Sequence, residues 1–143
     1  MNTLLEFSLA MALAVAVVLI HYETLRLTSL SLARLHMSPR QRILVVIGAA
    51  FFAHLVEVTL YAASYLALAE VLGAGQISGL PLAGFYDYFY YSMTTYTTLG
   101  IGDFAPMEGL RLLTAMESLV GLMMITWSAS FTYLAMEKFW KLH

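Results

Sequence analysis

Cysteine is absent from this chain of 143 residues, so neither disulfides nor thiolate metal sites can form. Charge is nearly as scarce. Charged residues make up 11% of the chain against 61% hydrophobic, and mean hydropathy is +0.79. That balance excludes an ordinary water-exposed surface and is the composition of a membrane protein. There is no internal repeat or low-complexity tract. Met1 to Leu5 lacks the basic start of a cleavable signal, and the apolar run that follows continues to full spanning length. No pairing of nucleophile with base stands out, so no enzyme, no organic cofactor and no nucleic-acid partner are expected.

What is present is a succession of apolar runs long enough for lipid. Leu4 to Ile20 is almost purely apolar, and about 20 such residues cross a bilayer. The run passes through His21-Tyr22-Glu23-Thr24-Leu25-Arg26 into a more amphipathic stretch ending near Met37. Ser38-Pro39 reads as a break. A second helix is expected over 43–72, closed by Gly73-Ala74-Gly75. Gly79-Leu80-Pro81 is a turn. The aromatic-rich segment 85–97 spans only half a membrane and must be re-entrant. A last helix follows Pro106 over 107–140. The expected fold class is all-α, with three membrane crossings and one short helix that does not cross.

The seven basic residues are distributed unevenly. Arg26, Arg34, Arg40 and Arg42 lie between the first two spans, and Lys138 and Lys141 lie at the carboxyl end. The excess of basic residues marks that side as cytoplasmic. The amino terminus is then outside, the carboxyl terminus is inside, and the location is a cell inner or plasma membrane. Glu70, Asp87, Asp103 and Glu108 fall on the opposite side with only Arg111 to offset them. Repeated by symmetry, those acids would concentrate cations there. Arg26 and Arg34 are eight residues apart, whereas a voltage sensor needs arginine at every third position. The basic stretch reads instead as a segment that touches anionic lipid.

Ionisable groups at membrane depth are costly and mark candidate sites. His54 and Glu57, one helical turn apart, form a candidate intramembrane polar pair, and Glu117 lies in the upper half of the last helix. His21 and His36 fall at a helix end and an interface, with no ligand partners at metal spacing. No histidine–carboxylate metal site is expected.

The segment Thr94-Thr95-Tyr96-Thr97-Thr98-Leu99-Gly100-Ile101-Gly102-Asp103 is polar and glycine-punctuated between apolar runs. Irregular backbone survives in lipid only where protein buries it or where it lines a watery path. Two glycines spaced by one residue permit φ > 0 at alternate positions, which turns successive carbonyls toward one side. Four such strands around an axis would stack oxygen rings that replace a cation's hydration shell. Thr98-Leu99-Gly100-Ile101-Gly102-Asp103 resembles the T-V-G-Y-G-D selectivity filter of tetrameric potassium channels. The family's flanking pattern of aromatic pore helix, short outer loop and glycine-bearing inner helix is matched over roughly residues 43 to 140.

That resemblance implies a pore domain over 38–143, with outer helix 43–72, pore helix 85–97, filter 98–103 and inner helix 107–140. Residues 1–37 form an additional membrane helix with an amphipathic cytoplasmic extension. It implies a homotetramer in the lipid bilayer that passes potassium ions as its transported substrate. Potassium would be bound by the carbonyls of Thr98, Leu99, Gly100 and Ile101, with Gly102 closing the outer end. Asp103, Tyr90, Tyr91 and Thr94 would support the filter, the two tyrosines as part of an aromatic cuff. Gly121 aligns with a hinge position, although close helix packing accounts for a glycine there equally well. Leu122, Ile125, Ala129 and Tyr133 would line the cavity and inner gate. Leu99 and Ile101 depart from the family's usual valine and aromatic residue. Isoleucine cannot donate a hydrogen bond into the cuff, so potassium should be preferred over sodium by a reduced margin.

Overall fold

A computed structural model describes residues 3–79 and 84–139. Three of its helices are long and apolar enough to cross a membrane: Thr3–Arg34, Pro39–Val71 and Arg111–Phe139. The chain is an all-α, multi-pass membrane protein.

Helix α1 (Thr3–Arg34) is unbroken for 32 residues, about 48 Å at 1.5 Å per residue. Its buried residues are Ala10, Ala14, Val17, His21, Leu25, Thr28 and Leu32. Steps of three and four residues place them on one stripe, and that stripe lies against α2 and α4. The first helix is therefore part of the core.

Helix α2 (Pro39–Leu66) begins at Pro39 rather than at Ile43. Ser38, read as part of a break, is its N-cap. The Ser38 backbone N–H donates to Gln41 Oε1 at 3.0 Å, and Gln41 N–H donates back to Ser38 Oγ at 3.5 Å. Proline at the first helical position has no donor to waste and the right φ already. The helix continues as a wider π turn over Ala67–Val71, and Gly73 at φ 57° ends it.

Two short strands, β1 (Ile77–Ser78) and β2 (Ala105–Pro106), pair antiparallel and tie the loops on either side of α3. Helix α3 (Phe85–Tyr96) has 12 residues, too few to cross a bilayer. It packs against both α2 and α4. Helix α4 (Arg111–Phe139) starts at Arg111 rather than Met107. Pro106 is held in the ladder, and Met107 to Leu110 form a turn closed by Leu110 N–H to Met107 C=O at 3.1 Å. The expected ends at Trp140 and Lys141, and the turn residues Leu80 and Pro81, lie outside the described residues.

The main core gathers Val17, Val58, Tyr61, Tyr65, Tyr91, Tyr96, Leu113 and Met124 around α3. A smaller cluster of Leu32, Val46 and Ala135 closes the opposite end. There the Arg42 guanidinium lies 5.0 Å from the centre of the Phe139 ring and bonds the carbonyls of Leu35 and Met37. Arg34, Arg42 and Lys138 thus belong to the same end of the bundle.

Candidate functional site

The segment after α3 alternates in handedness. Thr98, Gly100 and Gly102 have φ of 58°, 52° and 88°. Leu99 and Ile101 between them do not, since Thr98 is the sole non-glycine with positive φ among the described residues. A threonine there costs about 1–2 kcal/mol, so something must hold it. The last turn of α3 does. Thr98 N–H donates to Thr95 C=O at 2.9 Å, and the Thr94 carbonyl accepts from both Leu99 and Gly100, at 2.9 and 3.2 Å. Thr94 Oγ1 donates to the Tyr91 carbonyl at 2.9 Å, and Ser118 of α4 donates to the Thr95 carbonyl at 3.1 Å.

In front of these anchors the segment is open. Leu99 is 66% and Ile101 55% exposed. Behind it lies a cavity of about 290 Å³ whose lining includes Thr94, Thr98, Gly100, Ile101, Thr114 and Ser118. Tyr90 and Tyr91, neighbours in sequence, part ways because successive helical side chains diverge by about 100°. Tyr91 is buried, with its hydroxyl 2.9 Å from Thr114 Oγ1 and its ring edge-on to Tyr65. Tyr90 is half-buried, packs edge-on to Phe104 and faces Asp103.

Gly121 sits where α4 crosses the end of α3. A Cβ there would lie 2.1 Å from the Tyr96 carbonyl oxygen, so close helix packing by itself accounts for the glycine. Leu122, Ile125, Ala129 and Tyr133 are all exposed on α4, on a face that none of the described residues covers.

Two buried carboxylates lie behind α3. Glu117, fully buried, accepts from Ser92 Oγ at 2.5 Å and from the Tyr65 hydroxyl at 2.6 Å. Glu57, also fully buried, has one oxygen 2.9 Å from His21 Nδ1 and accepts from the Tyr96 hydroxyl through the other. His54 Nδ1 lies 3.4 Å from Glu57 and 2.9 Å from Tyr96 Oη. Ser128 Oγ meets the Nε2 atoms of both histidines, at 3.1 and 3.0 Å. The expected pair of His54 and Glu57 is therefore part of a five-residue network drawn from all four α-helices.

The expectation that His21 has no ligand partners is overturned. Ligand atoms of His21, His54 and Glu57 all lie within 4.8 Å of one another. The available signal was the spacing of His21 on the stripe from Ala10 to Leu32. Tyr96, Ser128, Ser92 and Tyr65 are further members of the two clusters that reading the sequence missed. Their partners are 25 to 107 residues away, beyond any local pattern.

No curated protein and no solved structure matches the chain. A family model described as ion channel matches residues 42–138, which takes in nearly all of α2, α3, the alternating segment and nearly all of α4. The chain belongs to the ion channel family.

Proposed function

We propose that this chain is one subunit of a homotetrameric, potassium-preferring channel that conducts passively through residues 98–103. The observation that carries the reading is the alternation of handedness at Thr98, Gly100 and Gly102, anchored on the Thr94 carbonyl. Alternation of this kind turns carbonyls to one side, where a fourfold axis would collect them into rings. Thr98, Leu99, Gly100 and Ile101 then offer the carbonyls that bind potassium, Gly102 closes the outer end, and Asp103 braces the segment through Tyr90. Helix α3 serves as the re-entrant pore helix.

One strand cannot surround an ion, so four copies are needed. The exposed Leu99 and Ile101, the open cavity behind them and the uncovered row Leu122, Ile125, Ala129 and Tyr133 all fit surfaces that neighbouring subunits and a water-filled cavity would meet. An apolar cavity face gates by dewetting. The end of the bundle bearing Arg34, Arg42 and Lys138 is cytoplasmic in this reading, which puts residue 1 outside.

A weakly selective monovalent cation channel is the second reading, favoured by Ile101. Its side chain has neither the hydroxyl nor the planar ring that would pin the outer carbonyls. Reconstitution into liposomes separates the readings. Potassium flux well above sodium flux is expected. Equal fluxes would establish weak selectivity, and no flux from a correctly assembled protein would leave a non-conducting membrane subunit. A stable monomer or dimer in intact-mass measurements would overturn the pore itself.

A further inference from the structure

The network around Glu57 can be counted proton by proton. Five contacts join its members: His21 to Glu57, His54 to Tyr96, Tyr96 to Glu57, and Ser128 to each histidine. Each neutral imidazole brings one proton, each hydroxyl brings one, and the carboxylate brings none. Four protons must serve five contacts, around a carboxylate that is fully buried. The set is short of one positive charge.

The orientation of the two rings points to where that charge belongs. Both Nε2 atoms meet the same Ser128 oxygen, which has two lone pairs and can accept from both. Both Nδ1 atoms are then bare, and they face the two oxygens of Glu57 at 2.9 and 3.4 Å. Two imidazole lone pairs and a carboxylate aimed at one another are an arrangement that a cation completes. Tyr96 Oη stands at the fourth corner, 2.9 Å from His54 Nδ1 and bonded to Glu57.

We infer that His21, His54 and Glu57, with Tyr96 as the fourth donor, form a binding site for a divalent transition-metal cation of the zinc class, enclosed within a single subunit. Two nitrogens and two oxygens suit zinc, cobalt or nickel; calcium and magnesium take oxygen alone. Bond lengths of about 2.0–2.2 Å put tetrahedral ligand atoms roughly 3.3–3.6 Å apart, against 2.9 and 3.4 Å from the two Nδ1 atoms to Glu57 and no more than 4.8 Å across the set. Ser128, holding both Nε2–H groups, is the outer partner that metal-bound histidines usually have. The cation displaces the one proton that Tyr96 shares with Glu57, so two positive charges enter, one leaves, and the buried site becomes neutral. His21 and Glu57 are fully buried, whereas the His54 side chain is 20% exposed, which makes the His54 edge the way in.

Cobalt(II) is the probe. The full chain, without a polyhistidine tag, is stripped with chelator in detergent and titrated. No cysteine is present and the remaining histidines, His36 and His143, lie elsewhere in the sequence, so background coordination is small. The expected result is the strong visible absorption of four-coordinate cobalt, saturating at one cobalt per chain, abolished by zinc. Calorimetry in buffers of different ionisation enthalpy should find one proton released per metal. His21→Gln and His54→Gln should lose the absorption, His36→Gln should keep it, and Ser128→Ala should weaken binding roughly 10–100-fold. If the histidine variants do not fold, the native chain still decides. Absence of the absorption in the native protein, or its persistence in a folded His21→Gln protein, would overturn the site. The five contacts would then be closed by a proton, as a His21 imidazolium paired with Glu57. None of these readouts needs a conducting tetramer, so failure of the channel reading would leave the result standing.

Discussion

The two sides of α3 are built on opposite principles. Behind it, Glu57 and Glu117 are fully buried, and each carboxylate oxygen has its own polar partner. In front of it, residues 98–103 are exposed, and the protein holds them through the backbone of Thr94 and Thr95. In a low-dielectric interior a satisfied polar network fixes one arrangement, and a broken one is expensive. The back should therefore determine whether the protein folds, and the front what passes it. Variants behind α3 should cost stability, and variants in front should change ion discrimination at nearly constant stability.

The largest loss is expected at Glu57. Alanine there leaves both imidazoles and Tyr96 without their shared carboxylate partner, a loss of about 3–5 kcal/mol by analogy with broken buried pairs. Glu117→Ala takes the carboxylate from two hydroxyls that keep second partners, Ser92 at the Val58 carbonyl and Tyr65 at Thr114, and should cost about 1–3 kcal/mol. Glu117→Gln should be milder still, because hydroxyls can accept as well as donate. Thermal unfolding in detergent ranks the three, and equal losses at 57 and 117 would remove the distinction between the clusters.

Next comes Gly121→Ala. Its Cβ would lie 2.1 Å from the Tyr96 carbonyl oxygen, so α4 must withdraw, at about 1–3 kcal/mol for an overpacked contact. Loss of assembled protein with helix content retained is the expected signature. An alanine protein that assembles and conducts normally would mean that α4 adjusts freely.

Thr98→Gly moves to the front and should reverse the sign. Glycine adopts φ 58° without strain, so stability should rise by up to about 1 kcal/mol, while the hydroxyl at the inner end of the proposed filter is lost. Rising stability with falling potassium preference in reversal potentials would sharpen the contrast; falling stability would break it. Ile101→Tyr should leave the unfolding temperature almost unchanged and increase the preference for potassium. A tyrosine variant no more selective than the native protein would remove the argument from the cuff. The smallest effect of all concerns voltage. With no charged helix to move in the field, conductance should change little over a range of about 100 mV, and steep activation by the purified protein would reveal a sensor.

Reading the sequence located the three spans, the half-length helix and the glycine segment, because each is a local pattern: length of apolar run, aromatic clustering, glycine spacing. It did not reveal which way the spans face. In water a helix shows its buried side by contrast with a polar one, whereas α1, α2 and α4 are apolar all round and lipid takes the rest. His21 therefore looked like a residue at a helix end, although its spacing from Ala10, Ala14 and Val17 already placed it on a common stripe. The helix starts failed for a different reason. Pro39 both stops one helix and begins the next, and Ser38 with Gln41 decides between the two roles through a capping box. The π turn at 67–71 and the two-residue strands rest on backbone bonds that no side-chain pattern announces.

The contact between Gly121 and the Tyr96 carbonyl also restricts movement in one direction. Side chains between two helices can rotate and so absorb a displacement, but here backbone meets backbone. Close-packed protein resists compression, so α4 cannot move inward at this level without pushing the end of α3, and Thr98 with it. Outward movement meets no such stop and is opposed only by bonds that can stretch, such as those of Ser118 and Glu117 to α3. The contact behaves as a one-sided stop: it sets the narrowest position α4 can reach and leaves the wider ones to those weaker restraints.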